Sequence, residues 1–193
     1  MKLIDLPKVG LVALAAASMP ALAESELSYS FIEAVYIDTE IDERNFDVEG
    51  DGLGLSGSVE LGDNFFMRAG FANQDFDGGI DTEQRTIGFG AHTAIADKTD
   101  LFATLDYVDI ENDTRFGSFD ADGYGIGIGI RSMVLEGLEL NGGVNYVDLG
   151  DGGDGASISL GARYYVVDNL SLGAGVQLDD DVTSWTAGIR LDF

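Results

Sequence analysis

The chain has 193 residues, 45% of them apolar, with 27 glycines, two prolines and no cysteine, and its 35 acidic residues outnumber 10 basic ones to leave a formal charge of −25. The lack of cysteine excludes disulfide scaffolds, thiolate metal sites and cysteine nucleophiles, and the acidic excess opposes nucleic-acid binding. After residue 23 no apolar run approaches the ~20 residues of a membrane helix, while 10% aromatic residues give the chain more to bury than a disordered one has.

Residues 1–23 are expected to be a cleaved secretory signal, leaving 24–193 as one domain. Lys2 and Lys8 supply the basic start, Val9 to Ala17 an apolar stretch of secretory length, and Ala21-Leu22-Ala23 a small-x-small cleavage site. Without Lys2, Asp5 and Lys8 the remainder carries 34 acids and 8 bases.

From there the sequence alternates almost throughout. A first strand is expected around residues 29–37, where facing is ambiguous: Tyr29, Phe31, Glu33 and Val35 share one parity, and Ile32, Ala34 and Tyr36 the other. Next come Leu53, Leu55, Val59 and Leu61, then Phe65, Met67, Ala69 and Phe71, then Ile87, Phe89, Ala91 and Ile95. Leu101, Ala103, Leu105 and Tyr107 follow, then Tyr124, Ile126, Ile128 and Ile130, and Leu138, Leu140, Val144 and Tyr146. The series ends with Ile158, Leu160, Ala162 and Tyr164, then Leu170, Leu172, Ala174 and Val176, and Trp185, Ala187, Ile189, Leu191 and Phe193. A period of two means strands with two unlike faces.

Connections alternate in length. Gly62-Asp63-Asn64, Asp97-Lys98-Thr99, Glu136-Gly137 and Asp168-Asn169 read as tight turns. Longer Asp- and Gly-rich loops are expected near 38–51, 75–84, 111–122 and 149–155, with a short one at 179–181. The pattern predicts an all-β, ten-stranded, antiparallel up-and-down barrel, with eight strands as the alternative, because closure hides the edges of so long a sheet.

The second face decides where the barrel sits. Opposite the apolar residues lie Gly88 and Gly90, Gly123 to Gly129 at alternate positions, Ser157 and Ser159, and Gly173 and Gly175. Glycine weakens strands and adds no solubility, so a water-facing role for that face is a poor fit. Short turns at one end, long loops at the other and ~10-residue alternating segments mark a transmembrane barrel with its apolar face in lipid.

The last residues, Gly188-Ile-Arg-Leu-Asp-Phe193, resemble the outer-membrane assembly signal. This resemblance implies that Gly188, Leu191 and Phe193 are read by the outer-membrane assembly machinery. More broadly the chain resembles the small proteobacterial OmpA-like and OmpX-like barrels. Tyr29 to Tyr36 and Asn64 to Phe71 are also similar to the barrels associated with quorum signalling and immunity in xanthomonads. These families share no catalytic residues to carry over; ten strands depart from the eight of OmpA and OmpX, and no peptidoglycan-binding domain is expected after the barrel.

Half of the bases after the signal, Arg68, Arg131, Arg163 and Arg190, fall on the polar parity, where Glu33, Glu60, Asp106 and Glu139 supply acids. They are expected to form a lumen charge network. Glu60 and Arg68, and Arg131 and Glu139, flank tight turns as cross-strand or diagonal neighbours, and glycines opposite leave room for guanidinium forks that grip carboxylates bidentately.

Two other features carry possible chemistry. His92, the lone histidine, is a conceivable acid–base group with Asp106 as orienter, weighed against a plain lumen histidine. The acidic loops, including Asp38, Glu40, Asp42, Glu43, Asp47, Glu49 and Asp51, offer hard oxygen ligands, but none has the spacing of a calcium loop, and solvated charge is expected instead.

The sequence therefore reads as a non-enzymatic, monomeric outer-membrane barrel with an occluded polar lumen, for envelope structure or surface interaction, without cofactor or metal. Its expected partners are outer-membrane lipid, lipopolysaccharide and the assembly machinery. A narrow diffusion pore is the alternative, with an outer-membrane enzyme or a soluble periplasmic barrel behind it. Deleting Phe193 should lower the outer-membrane yield and leave unfolded chain in the periplasm, as read by fractionation; unchanged insertion at low expression would remove the signal role.

Overall fold

The computed structural model describes residues 27–43, 46–115 and 117–193; the expected signal, 1–23, lies outside them. The described residues form ten strands, β1 (Phe31–Glu43), β2 (Phe46–Glu60), β3 (Phe65–Phe76), β4 (Ile80–Ala96), β5 (Thr99–Thr114), β6 (Gly117–Leu135), β7 (Leu138–Asp148), β8 (Asp154–Val167), β9 (Leu170–Leu178) and β10 (Val182–Asp192). A short 3-10 turn, Gly150–Gly152, joins β7 to β8. Every strand pairs antiparallel with its neighbours in the chain, and β10 returns to pair with β1, so the sheet closes as a ten-stranded barrel. The eight-stranded alternative falls.

Alternation sorts the side chains as the parity argument requires. Leu53, Phe65, Ile87, Leu105 and Leu172 point outward and are more than half exposed. Tyr36, Tyr107, Tyr124 and Trp185 lie on this apolar band towards one end, and Phe65, Tyr164 and Phe193 towards the other, as in the two aromatic girdles of a membrane barrel. The second end carries the tight turns, the start of β1 and the end of β10.

Two expectations change. The first strand starts at Phe31, and Tyr29 lies in a lead-in segment, residues 27–30, that folds into the lumen with Leu27 and Phe66 as a small buried cluster. The acidic stretches at 38–51, 75–84 and 111–122 are also mostly strand, continuing the ladder past the girdle with Asp38 opposite Asp51, Asp75 opposite Asp81 and Glu111 opposite Asp120. Continued backbone pairing outweighs the few tenths of a kcal/mol that like-charge neighbours cost in water. The turn at 77–79 is tight because Gly78 and Gly79 adopt positive φ, 90° and 76°, and Arg115 Nη2 donates to Gly78 O (2.6 Å), tying the β5–β6 tip to it.

Three of the lumen glycines seat aromatic rings, while Gly173 lies against the Arg163 guanidinium. Phe66 lies over Gly90, Phe76 over Gly50 and Phe102 over Gly129. A Cβ at Gly129 would stand 2.5 Å from the Phe102 ring and 2.7 Å from Gly142 O, whereas one at Gly57 would find nothing nearer than 3.5 Å. Gly129→Ala should therefore cost ~1–3 kcal/mol by overpacking. Gly57→Ala should change stability by less than ~0.5 kcal/mol, both read as shifts of the urea midpoint for refolded barrel in lipid vesicles.

Candidate functional site in the barrel lumen

The floor of the lumen, at the tight-turn end, is built from charge. The Glu136-Gly137 turn, with Gly137 at φ 74°, folds β7 back on β6 so that Arg131 and Glu139 sit diagonally across the pair. Arg131 Nε donates to Glu139 Oε1 (2.8 Å) and Nη2 to Oε2 (3.0 Å), and Tyr165 Oη donates to the same carboxylate (3.1 Å). Both partners are almost fully buried. A charge pair this enclosed costs desolvation, and a variant that breaks it by deleting one partner loses ~3–5 kcal/mol.

Glu33 organises the opposite wall. It faces Arg190 across the seam between β1 and β10, accepts from Arg190 Nη2 (2.7 Å) at one oxygen and from Arg163 Nη2 (2.6 Å) at the other, and so points inward. The Arg190 guanidinium also lies 3.7 Å over the Phe31 ring, a cation–π contact on the lumen side.

Arg68 takes a different partner from the one its position suggests. Glu60 stands diagonal to it, yet Arg68 Nε meets Asp106 Oδ1 at 3.2 Å, two strands away. Gly88 lies between them in register and has no side chain to block the reach; a Cβ there would overlap Asp106. Glu60 instead accepts the backbone N–H of Tyr29 (3.1 Å), while its own N–H donates to Ser30 Oγ (3.0 Å).

These bonds hold the segment that parity alone misses. The Tyr29 ring stacks on His92 at 3.9 Å between centroids and on Phe66 at 4.9 Å, with the Arg131 guanidinium 4.6 Å from its centre. Arg131 Nη1 donates to Ser28 O (2.8 Å). One arginine thus grips both the β7 glutamate and the lead-in segment. The signal was Tyr29 itself, a large ring on an ambiguous parity just before a strand.

His92 lies beneath this ring. Its Nδ1 stands 3.4 Å from Asp100 Oδ2, with both side chains nearly fully buried; Asp106, the orienter expected from sequence, is engaged by Arg68. A histidine sealed under a tyrosine has no open path to a substrate. Among the described residues no group of three or more His, Asp and Glu is placed to hold a metal.

Above the floor a chamber of about 580 Å³ is lined by four arginines and two glutamates, with Ser56, Ser58, Gln74, Gln84 and Thr186 among the neutral polar groups. A second recess of about 670 Å³ lies on the outer apolar face against Leu140, Leu160 and Trp185, where lipid chains would fill it.

Outside the band, charge returns abruptly. Two residues beyond Tyr36, Tyr107, Tyr124 and Tyr146 on the same face come Asp38, Asp109, Asp122 and Asp148. One row runs Asp38, Asp51, Asp75, Asp81 and Asp113 across five strands, and Arg85 beside it pairs with Glu83, Asp109 and Glu111.

The assembly residues lie on the seam. Leu191 and Phe193 face outward, and Phe193 N–H donates to Ser30 O (3.0 Å). Gly188 has a packing reason of its own, since a Cβ there would stand 2.5 Å from Ala34 O and 2.6 Å from Val35 Cγ1.

A closed antiparallel barrel with an apolar girdled exterior and a charged lumen is of the outer-membrane class. The sequence matches the model of the outer membrane protein beta-barrel domain over residues 9–177, and the chain belongs to that family; it is an outer-membrane protein. None of the curated proteins matches it. Among solved structures it is similar to an outer membrane channel from Pseudomonas putida F1, with 10% identity, coverage of 91% of this chain and 100% of that one, and a TM-score of 0.58. It is also similar to the KdgM porin in complex with disordered oligogalacturonate, with 11% identity, coverage of 84% and 99%, and a TM-score of 0.50. At such identities these likenesses show the fold.

The aspartate row carries a testable cost. Asp75, by hydrogen bond and by charge, and Asp113 hold the Asp81 carboxyl above its usual range, with some desolvation added. A carboxyl whose folded pKa exceeds its unfolded one destabilises the fold above that pKa and stops doing so below the unfolded value. Asp81→Asn should therefore raise the urea midpoint at pH 7, and its advantage over wild type should shrink as pH falls to about 4.

Proposed function

We propose that the protein is a non-enzymatic envelope barrel, closed at its tight-turn, periplasmic end, with its acidic hairpins outside the cell. The observation that carries this reading is Arg131, which joins Glu139 to the lead-in segment and so seals the floor with a network and a strap at once. Glu33 with Arg163 and Arg190 completes the obstruction. The acidic hairpins would meet lipopolysaccharide phosphates as like charge, screened beyond ~8 Å at physiological ionic strength, and so project outward as an interaction surface or a structural collar. The resemblance to OmpA-like and OmpX-like barrels supports such an envelope role, a monomeric state and delivery by the assembly machinery through the last strand.

A narrow diffusion pore is the second reading, favoured by the chamber and by the channel and porin among the similar structures. Planar-bilayer recording separates the two. Wild-type protein should show little steady conductance, while Arg131→Ala with Arg163→Ala should open a small cation-preferring path, since Glu33 and Glu139 then outnumber Arg190 at the floor. Tyr29→Ala should open it partway with the network intact. Large ohmic steps from wild type would make the protein a porin.

A further inference from the structure

The two faces of the wall exchange roles at the tyrosine girdle. Below it the apolar side chains face lipid, whereas above it, in the three tall hairpins β1–β2, β3–β4 and β5–β6, they face inward and the charges face out. Ile41 stands opposite Val48, Phe76 opposite Ile80 and Ile110 opposite Ala121, one inward apolar pair in each hairpin, and all six are partly buried. The outward pairs beside them are Glu40 with Glu49, Asp75 with Asp81 and Glu111 with Asp120. Neutral polar groups on the inner side bond one another: Thr39 Oγ1 donates to Gln74 Oε1 (2.8 Å) and Thr82 Oγ1 to Asn112 Oδ1 (2.8 Å).

The wall stands taller on one side of the mouth than on the other. β1, β5 and β6 run seven residues beyond Tyr36, Tyr107 and Tyr124, whereas β7 and β10 run two and three beyond Tyr146 and Trp185. Pairing of β6 with β7 begins only at Tyr124, so β6 overhangs its neighbour, and Phe119 on the overhang is 57% exposed. An apolar face left open to water above the membrane marks an interaction surface. Its surroundings narrow the occupant. A second copy would bring another charge of −25 against the acidic pairs, an anionic lipid is repelled in the same way, and the segment preceding β1 lies at the floor, at the opposite end of the barrel. Asp42, Asp77 and Asp120 are exposed at the hairpin tips, so an apolar centre is edged by acids, and its complement has an apolar centre and a basic edge.

We propose that the inner wall of the β1–β6 hairpins is a docking surface for a cationic amphipathic polypeptide segment. The segment's apolar side chains lie against Ile41, Phe76, Ile110 and Phe119, and its lysines and arginines reach the acidic tips. Long aliphatic stems carry those charged heads away from an apolar face at its edge, which suits a wall whose acids stand at the rim and on the back. Charge and apolar contact divide the work. The acidic hairpins attract a cationic segment from solution, an effect screened beyond ~8 Å at physiological ionic strength, and burial of the apolar wall then holds it. This assignment gives a partner to the interaction surface proposed above and rests on the hairpins facing the outside of the cell.

Fluorescence anisotropy at low salt tests this on the whole barrel in phosphatidylcholine nanodiscs, with empty discs as the blank. The probes are a labelled Leu/Lys peptide patterned as an amphipathic helix, a peptide of the same composition reordered so that no apolar face forms, and the Leu/Glu counterpart of the first. The amphipathic Leu/Lys peptide should bind at least tenfold more tightly than either of the others. With folding verified by heat-modifiable gel mobility, Phe119→Ser and the double variant Ile41→Thr/Ile110→Thr should each weaken it several-fold, and Asp42→Asn/Asp120→Asn should weaken it and flatten its salt dependence. Phe119 is exposed, so its variant keeps the test open where the double variant fails to fold. Equal binding of the ordered and reordered Leu/Lys peptides, or binding untouched by the inner-wall variants, would overturn the docking surface. Tighter binding of the Leu/Glu peptide would overturn the cationic partner, and a wild-type dimer in sedimentation that Phe119→Ser abolishes would make a second copy the occupant instead. Labelling of Ser118→Cys in intact cells by an impermeant maleimide reads the orientation separately. Labelling without peptide binding would overturn the docking surface alone, and peptide binding to a barrel that is not labelled in cells would overturn the outward orientation alone.

Discussion

In a bilayer every backbone N–H and C=O must find its partner within the protein, and in this chain that requirement is met only when β10 returns to β1. The rest of the structure follows from that closure. It turns one face of each strand to lipid and forces the other into a narrow interior, where side chains from ten strands compete for space. Glycine relieves the crowding: a ring on one strand lies flat over a missing side chain on the next, as Phe66 does over Gly90 and Phe102 over Gly129. The glycines that weaken each strand taken singly are therefore what lets the sheet close around filled space.

Closure also sorts charge. Carboxylates dominate the hairpins beyond the tyrosine girdle, where water screens them, while four of the few arginines are confined to the lumen, where screening is weaker and each charge needs a partner. The two regions obey different rules. Asp38 and Asp51 sit opposite one another outside at small cost, whereas Glu139 inside is met by a bidentate arginine and a tyrosine hydroxyl. A strongly acidic protein can thus keep four of its few arginines inside, each against a carboxylate.

Much of this was legible in the sequence because period-two alternation reports directly on which face meets lipid. Strand number and closure follow from positions such as Leu53, Phe65, Tyr107 and Trp185, and the spacing of Arg131 and Glu139 about a two-residue turn places them within reach of each other. What escaped depends on distances that alternation does not encode. Arg68 reaches past its diagonal neighbour Glu60 to Asp106 because a glycine intervenes on the strand between. His92 meets Asp100, diagonal to it, and not Asp106. The acid-rich stretches read as loops because Asp, Glu and Gly are poor strand formers, yet a ladder already registered in the membrane extends through them. Tyr29 reads as strand because one residue of correct parity cannot announce that the backbone has turned inward.

That inward turn makes the floor and the seam separable. Ser30 accepts the Phe193 N–H on one side, and its hydroxyl accepts the Glu60 N–H on the other, so the chain is pinned to both neighbouring strands where β1 begins. Ser28 and Tyr29 beyond this pin are held by side-chain groups: Tyr29 N–H on Glu60, Ser28 O on Arg131, and the Tyr29 ring between His92 and Arg131. Loss of those contacts would release the strap while leaving every pair of the β1–β10 register intact, because neither residue takes part in it. The barrel therefore carries its obstruction on a segment whose stability is set by a few lumen side chains, independent of the hydrogen bonds that keep the wall closed in lipid.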